Sequence, residues 1–320
     1  MQAVRIHAYG GPEVLRLDDV APPKAGPGEV LLRIRAAGVH SEDARRRSGQ
    51  ARSPFLPAIL GTEAAGVIAA VGVGVNPALR GLRAVALAPE SQAELVRVPA
   101  SEVVLLPDPV DFEVAAVLPF QGLTAYHLLH TVDSVTPGMT LLVHEVTSGV
   151  GLLLLQLAKA AGARVFGTAS SGERAELARD LGADAVLVAP GDLAAEVLAL
   201  TAGEGVNLVL DPVGRTTGEV SLRCLAPFGH LVFFGAASGP AAPVDVATLH
   251  PRALKVSAFS LAARLPADAN RSALEELVSD VAAGTLSCTL GLRLPLAQVA
   301  DAHRALDEGR TVGDVVLRVG

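Results

Sequence analysis

The spacing of apolar and polar residues changes character near residue 112. Before it, short apolar runs are interrupted by turn residues every few positions. Glu29-Val30-Leu31-Leu32-Arg33-Ile34-Arg35 follows Pro27-Gly28 and reads as a strand. Residues 66–72, 84–87 and 93–98 read the same way, so this block is compact and β-rich, with a short helix or loop over 45–48. Residues 112–118 and 123–129 look helical. After Pro137-Gly138 the pattern becomes a fixed alternation. Strands are predicted over 139–144, 163–168, 185–188, 206–210 and 229–234, and helices over 149–161, 172–181, 193–201 and 217–225. Strands alternating with helices of this length imply parallel βαβ units. The continuous apolar runs Leu141-Leu142-Val143 and Leu208-Val209-Leu210 fit strands buried on both faces. The last segment returns to mixed structure, with helices over 273–283 and 296–308 and strands over 290–294 and 315–319.

Composition narrows the class. A chain of 320 residues suggests two domains. With 50% apolar and 18% charged residues, it has a core to bury and lacks the signature of disorder. A net charge of −7 disfavours a large basic face for nucleic acid. Two cysteines, Cys224 and Cys288, cannot build a four-cysteine zinc lobe, and they suit a reducing cytosol. The opening residues carry no apolar signal core, and the most apolar stretch, 149–163, is broken by Gln156 and Lys159. A soluble, cytoplasmic protein without a membrane partner is therefore expected.

The candidate chemistry sits at two strand ends. The first βα turn of the alternating block reads His144-Glu145-Val146-Thr147-Ser148-Gly149-Val150-Gly151. A dinucleotide-binding fold places a tight turn here, with backbone N–H groups at a helix N-terminus facing a pyrophosphate. The glycine pattern G-x-G-x-x-G falls on Val146, Ser148 and Gly151, a weak match that the flanking strand and helix strengthen. An ordinary glycine-bearing turn is the alternative. The second strand ends at Thr168, where an NAD site usually presents an acidic residue. Here Ser170, Ser171 and Arg174 follow instead, a set suited to a ribose 2′-phosphate, so NADPH is preferred. The alternative is that the serines cap a helix and Arg174 is solvated.

Further motifs give a family resemblance along essentially the whole chain. They are Tyr9-Gly10-Gly11-Pro12-Glu13-Val14-Leu15, Ala36-Ala37-Gly38-Val39, Leu60-Gly61-Thr62-Glu63-Ala64-Ala65-Gly66-Val67, Gln121-Gly122-Leu123-Thr124-Ala125-Tyr126, Asp211-Pro212-Val213-Gly214 and Phe234-Gly235-Ala236-Ala237-Ser238-Gly239. The chain resembles the zinc-free quinone oxidoreductases, zeta-crystallin type, of the medium-chain dehydrogenase/reductase superfamily. The resemblance implies an α/β fold. A GroES-like, β-rich catalytic domain would be formed by residues 1–121 and 263–320. A doubly wound Rossmann domain binding NADPH would occupy 122–262. It also implies a nicotinamide held in the cleft between the domains and a homodimer. Ser148, Gly149 and Val150 match the pyrophosphate turn. Ser170, Ser171 and Arg174 match the 2′-phosphate pocket. Thr124, Phe234, Gly235 and Ala236 match the nicotinamide surroundings.

The positions of zinc ligands in metal-dependent relatives correspond to His40, Thr62 with Glu63, and Phe120; the set cannot complete a zinc site, so no metal is expected. Without a Lewis acid, hydride transfer to a quinone or an α,β-unsaturated carbonyl suits the chain better than alcohol oxidation. Four departures from the family pattern stand out. His40 replaces a typical Asn and is a candidate catalytic group. Arg45, in the run Arg45-Arg46-Arg47, replaces an aromatic residue and is a candidate grip for an anionic substrate. Glu145 to Ser148 replace small residues in the phosphate turn. Ala189 and Leu82 replace a usual tyrosine and aspartate. These departures leave two other readings open: an enoyl reductase or tailoring enzyme of secondary metabolism acting on an anionic or thioester substrate, and a non-catalytic NADPH-binding sensor or structural protein. His127 and His130 read as surface or packing residues, His303 as structural and Cys224 as a buried small hydrophobe.

Overall fold

A computed structural model describes residues 1–51, 55–188, 191–262, 265 and 268–320. In chain order, strands β1 (Gln2–Ile6), β2 (Leu15–Asp19) and β3 (Glu29–Val39) lead to helix α1 (Ser41–Ser48). Strands β4 (Ala58–Ile59), β5 (Glu63–Val71), β6 (Arg83–Leu87), β7 (Leu95–Pro99) and β8 (Val104–Leu105) follow. Helices α2 (Phe112–Ala115) and α3 (Leu123–His127) are joined and extended by wider π-helical turns at Leu118–Gly122 and Leu128–Val132. The alternating block is β9 (Thr140–Val143), α4 (Gly149–Ala160), β10 (Arg164–Ala169), α5 (Gly172–Asp180), β11 (Ala185–Val188), α6 (Leu193–Leu200), β12 (Val206–Asp211), α7 (Gly218–Cys224), β13 (Leu225–Phe233), α8 (Val246–Leu249) and β14 (Lys255–Ala258). The chain closes with α9 (Ala269–Ala283), β15 (Leu290–Pro295), α10 (Val299–Asp307) and β16 (Asp314–Arg318).

The chain divides into two units, Met1–Leu123 with Leu265–Gly320, and Thr124–Arg264. In the first unit β3 is the spine, pairing antiparallel with β5, β7 and β16. Its residues alternate, so Val30, Leu32 and Ile34 enter a core with Ile68, Val96, Val98 and Leu317 while Arg33 and Arg35 stay exposed. Where β3 runs between β5 and β16 the alternation gives way to the unbroken buried run Ala36–Val39. A separate small sheet, β2-β1-β4, forms near the N-terminus.

The second unit holds one parallel sheet in the order β11-β10-β9-β12-β13-β14. Every residue of β9 is buried, as its continuous apolar run anticipates. Leu142, Phe166, Val197, Val209, Leu225 and Leu231 build a core that encloses Cys224. The strand order reverses between β9 and β12. Parallel sheets of this kind bind ligands outside the carboxyl ends of the strands at such a switch point. Both cysteines are free thiols. No helix among the described residues is long and apolar enough to cross a membrane.

Candidate functional site

In the second unit the turn after β9 is pinned from several sides. Glu145 takes a left-handed backbone, φ 50°, its N–H donates to Thr168 Oγ1 at 3.1 Å, and its carbonyl accepts from Ser148 N–H at 2.9 Å. Val146 N–H donates to the Thr168 carbonyl, which ties this turn to the end of β10. A Cβ on Gly151 would sit 2.5 Å from the Glu145 carbonyl oxygen, so only glycine lets α4 start this close to the strand. Ser148 caps α4, its Oγ accepting from Gly151 N–H at 3.1 Å. That leaves the N–H groups of Gly149 and Val150 in the first turn outside the helix's own hydrogen-bond ladder, at its positive end. Such a donor set fits a pyrophosphate.

At the end of β10, Ser171 caps α5, its Oγ accepting from Arg174 N–H at 3.3 Å. The capping reading of Ser171 therefore holds, and its hydroxyl proton remains available to an acceptor. Ser170 is exposed and Arg174 half-buried. Glu145 and Arg174 attract one another electrostatically. Two hydroxyls and a guanidinium fit a 2′-phosphate, with the Glu145 carboxylate an addition to that set. Thr124 is buried on α3. Phe234, Gly235 and Ala236 leave β13 alongside the Asp211-Pro212 turn: Phe234 N–H donates to the Asp211 carbonyl at 3.0 Å, and a Cβ on Gly235 would lie 2.5 Å from the Pro212 carbonyl oxygen. Ala189 lies outside the described residues.

Behind the turn runs a buried polar chain that reading the sequence in order did not assemble. Asp211 Oδ1 accepts from Val213 N–H at 2.7 Å and Gly214 N–H at 3.0 Å. Its Oδ2 accepts from the Thr217 hydroxyl at 2.6 Å and, at 3.4 Å, from the Ser221 hydroxyl. Ser221 Oγ in turn meets His144 Nε2 at 2.9 Å, and His144 Nδ1 meets Thr168 Oγ1 at 3.3 Å. One proton arrangement satisfies the whole chain: His144 donates from Nε2 to Ser221, and Thr168 donates to His144 Nδ1 while accepting from Glu145. Burial lowers the His144 pKa, against the pull of Asp211, so the ring is a neutral link. The Asp-Pro-Val-Gly motif was the available signal; its link to His144 and Ser221 depends on β9, β12 and α7 meeting in space.

In the first unit the zinc-ligand positions do converge, with other chemistry. His40 Nε2 lies 2.7 Å from Thr62 Oγ1, and its ring stacks on Phe120 with centroids 3.8 Å apart and planes 6° from parallel. Phe120 N–H donates to Glu63 Oε2 at 2.7 Å. Asp43 fixes the start of α1, accepting from His40 N–H and Gly61 N–H, both at 3.2 Å. A Cβ on Gly38 would fall 2.0 Å from Glu63 Oε1, so the buried carboxyl needs glycine on β3. His40 is 5% exposed, and burial lowers its pKa more than Asp43 raises it. Near neutrality it is an uncharged imidazole that holds one ring proton. Burial raises the Glu63 carboxyl well above its usual range and pushes Asp314 up to about 8, so Asp314 is a neutral acid at pH 7. Among the described residues no group of three or more His, Cys, Asp or Glu is placed to hold a metal ion.

Arg45 sits on α1, partly exposed, with Glu42 Oε2 4.0 Å away. It is thus available to a solute. Arg47 is not: it is buried, with Nε donating to the Gly10 carbonyl and Nη2 2.7 Å from Asp307. The two arginines of one run therefore separate into a surface cation and a structural clamp. His127, His303 and Cys224 are buried, and His130 is exposed.

Residues 26–108 match the alcohol dehydrogenase GroES-like domain, and residues 149–279 match the zinc-binding dehydrogenase domain. A quinone oxidoreductase of Pseudomonas aeruginosa is 40% identical over 319 residues, with 98% of each chain covered. The chain belongs to the zinc-free quinone oxidoreductase family of the medium-chain dehydrogenases and reductases. Another member of the superfamily, a 2-haloacrylate reductase of a Burkholderia species, is 34% identical over 99% of this chain and 98% of its own. A solved mycobacterial structure complexed with NADPH has a TM-score of 0.94 at 40% identity, covering 99% of this chain and all of that one. The fold is the α/β pairing of GroES-like and Rossmann domains expected of the family.

Proposed function

We propose that the chain is an NADPH-dependent, zinc-independent reductase that delivers hydride to a quinone or to the β-carbon of an α,β-unsaturated carbonyl. The observation that carries this is the turn between β9 and α4, a built anion cradle on a family frame whose relative has been solved with NADPH. Ser148 and the N–H groups of Gly149 and Val150 hold the pyrophosphate. Thr168, Ser170, Ser171 and Arg174 hold the adenosine ribose and its phosphate, and Thr124, Phe234, Gly235 and Ala236 hold the nicotinamide. The bound cofactor supplies two electrons as hydride.

His40 and Arg45 act on the substrate. For an unsaturated carbonyl, hydride forms a C–H bond at the β-carbon and the alkene electrons move onto the carbonyl oxygen. The neutral His40 ring donates a hydrogen bond to that developing oxyanion, and water protonates the α-carbon. A quinone takes hydride and a proton and leaves as the hydroquinone. Arg45, partly exposed on α1, pairs with a substrate carboxylate; the 2-haloacrylate reductase, whose named substrate is an electron-poor alkene bearing a carboxylate, favours this second, anionic reading. The chain works in the cytoplasm as a homodimer.

The test is oxidation of NADPH, read as loss of its near-ultraviolet absorbance, with neutral quinones, neutral enones and carboxylate-bearing enones. His40→Ala should lower turnover about 100-fold while the NADPH dissociation constant stays within twofold. Arg45→Ala should raise KM only for the carboxylates. NADPH binding without turnover on any of the three classes would replace the reductase reading with a sensor or structural role.

A further inference from the structure

We infer that Glu145 makes the ribose pocket tolerant of a free 2′-hydroxyl, so that the chain binds NADH as well as NADPH. The inference rests on the reductase reading and concerns what distinguishes this cofactor site.

In linear order the end of β10 carries no acid, only Thr168, Ala169 and Ser170. In the fold an acid arrives from the neighbouring strand. β9 and β10 pair in parallel with Val143 opposite Gly167, so the residue two places past β9 lies beside the last residues of β10. Glu145 N–H bonds the side chain of Thr168, the residue at which a ribose 2′-substituent is read. Its backbone is held in the left-handed region by that bond, by its carbonyl's bond from Ser148 and by the close approach of Gly151, so the origin of its side chain is fixed. Burial raises the Glu145 pKa above the usual carboxylate range, against the pull of Arg174, the cation of the same pocket, so the charged form is the one to test at alkaline pH.

The chemistry then works in opposite directions on the two nucleotides. A carboxylate accepts a hydrogen bond from a ribose 2′-hydroxyl, the role an acid plays in NAD sites. Beside a 2′-phosphate it is a like charge, and it offsets part of the positive field of Arg174. An arginine-only pocket selects NADPH; an arginine opposed by a carboxylate discriminates less.

Titration of wild type, Glu145→Gln and Glu145→Gly with NADPH and with NADH at pH 8, following nicotinamide fluorescence, tests this. Gln keeps the size and removes the charge; Gly also suits the left-handed backbone, so one variant covers the other if folding suffers. Wild type should bind the two nucleotides within tenfold of each other. In both variants NADPH should tighten about tenfold and NADH weaken at least threefold. A preference unchanged within twofold in the variants overturns the inference. Wild-type binding of NADPH with no measurable binding of NADH also overturns it and leaves the reductase reading intact. Binding of neither nucleotide by wild type overturns both.

Discussion

The two units bury similar polar inventories and treat them in opposite ways. In the unit Thr124–Arg264, Asp211, Ser221, His144 and Thr168 form one continuous hydrogen-bonded chain, and Asp211 alone accepts four bonds. In the other unit, His40 Nδ1, Glu63 Oε1, Gln121 Nε2, Asp314 Oδ1 and both ring nitrogens of His303 are buried without a hydrogen-bonding partner in the protein. Among the described residues every such orphaned side-chain atom lies in that first unit. Satisfied polar networks rigidify, and unsatisfied ones keep a desolvation cost until water or a ligand's polar atom arrives. A turn that cannot shift suits the fixed presentation of backbone N–H groups.

The contrast extends to the carboxyl groups. Asp211 stands among four donors. Glu63 takes backbone hydrogen bonds from Phe120 and Gln121 but leaves Oε1 unpaired, and Asp314 stands nearby, so burial favours the protonated acids. The largest expected effect tests the first half of this statement. Asp211→Ala leaves two backbone N–H groups and two hydroxyls, buried or half-buried, without their acceptor and should destabilise the protein by about 3–5 kcal/mol, read from the midpoint of thermal or urea unfolding. A cost below about 1 kcal/mol would mean the network is not holding the turn.

The second prediction concerns the neutral acids. Asp314 keeps its proton in the folded chain up to about pH 8 but loses it near pH 4 when unfolded. Between these values the folded state binds more protons, so stability falls as pH rises and levels off above the folded pKa. Glu63 acts in the same direction. His40 and His303, whose pKa values burial lowers, cost stability only as pH falls below about 6.5. Comparing a variant with wild type between pH 6.5 and 8 cancels the histidine contribution. Across that range Asp314→Asn should flatten the stability slope by about 1 kcal/mol per pH unit, because the proton is already half lost at the folded pKa. An unchanged slope in unfolding experiments at pH 6.5, 7.25 and 8 would show Asp314 to be ionised in the folded protein.

Much of this arrangement was readable along the chain, and what was not shares one physical cause. The strands β9 to β13 and helices α4 to α7 were visible because each writes its period into contiguous residues, as Leu141-Leu142-Val143 does. Strands β1 and β2 were not read because their residues pair across a loop and half of them face solvent; β14, Lys255–Ala258, is a short edge strand with no fully buried residue. The helix read over 112–118 ends at Ala115 and resumes as π-helical turns, and the one read from 296 begins at Val299, after Pro295 and a short 3-10 turn. The residues proposed for the cofactor could be grouped along the chain because they lie beside one another at strand ends. Glu145 beside Thr168, Arg47 on Asp307, and His144 joined to Asp211 through Ser221 are relations across strands and between distant segments. Local propensity carries no trace of such pairs.

The smallest effect asks whether the cradle works through side chains or backbone. Ser148 contributes a hydroxyl that caps α4 and an N–H at the same turn. Ser148→Ala removes the cap, leaves Gly151 N–H without its acceptor and should cost about 1 kcal/mol of stability, whereas Ser148→Gly should cost only a few tenths. Neither variant removes a backbone N–H. If the rigid turn presents backbone donors, as its buried support implies, the NADPH dissociation constant should rise no more than about threefold in either, because a threefold change is below 1 kcal/mol. A tenfold loss of affinity in both variants would make the hydroxyl itself the ligand.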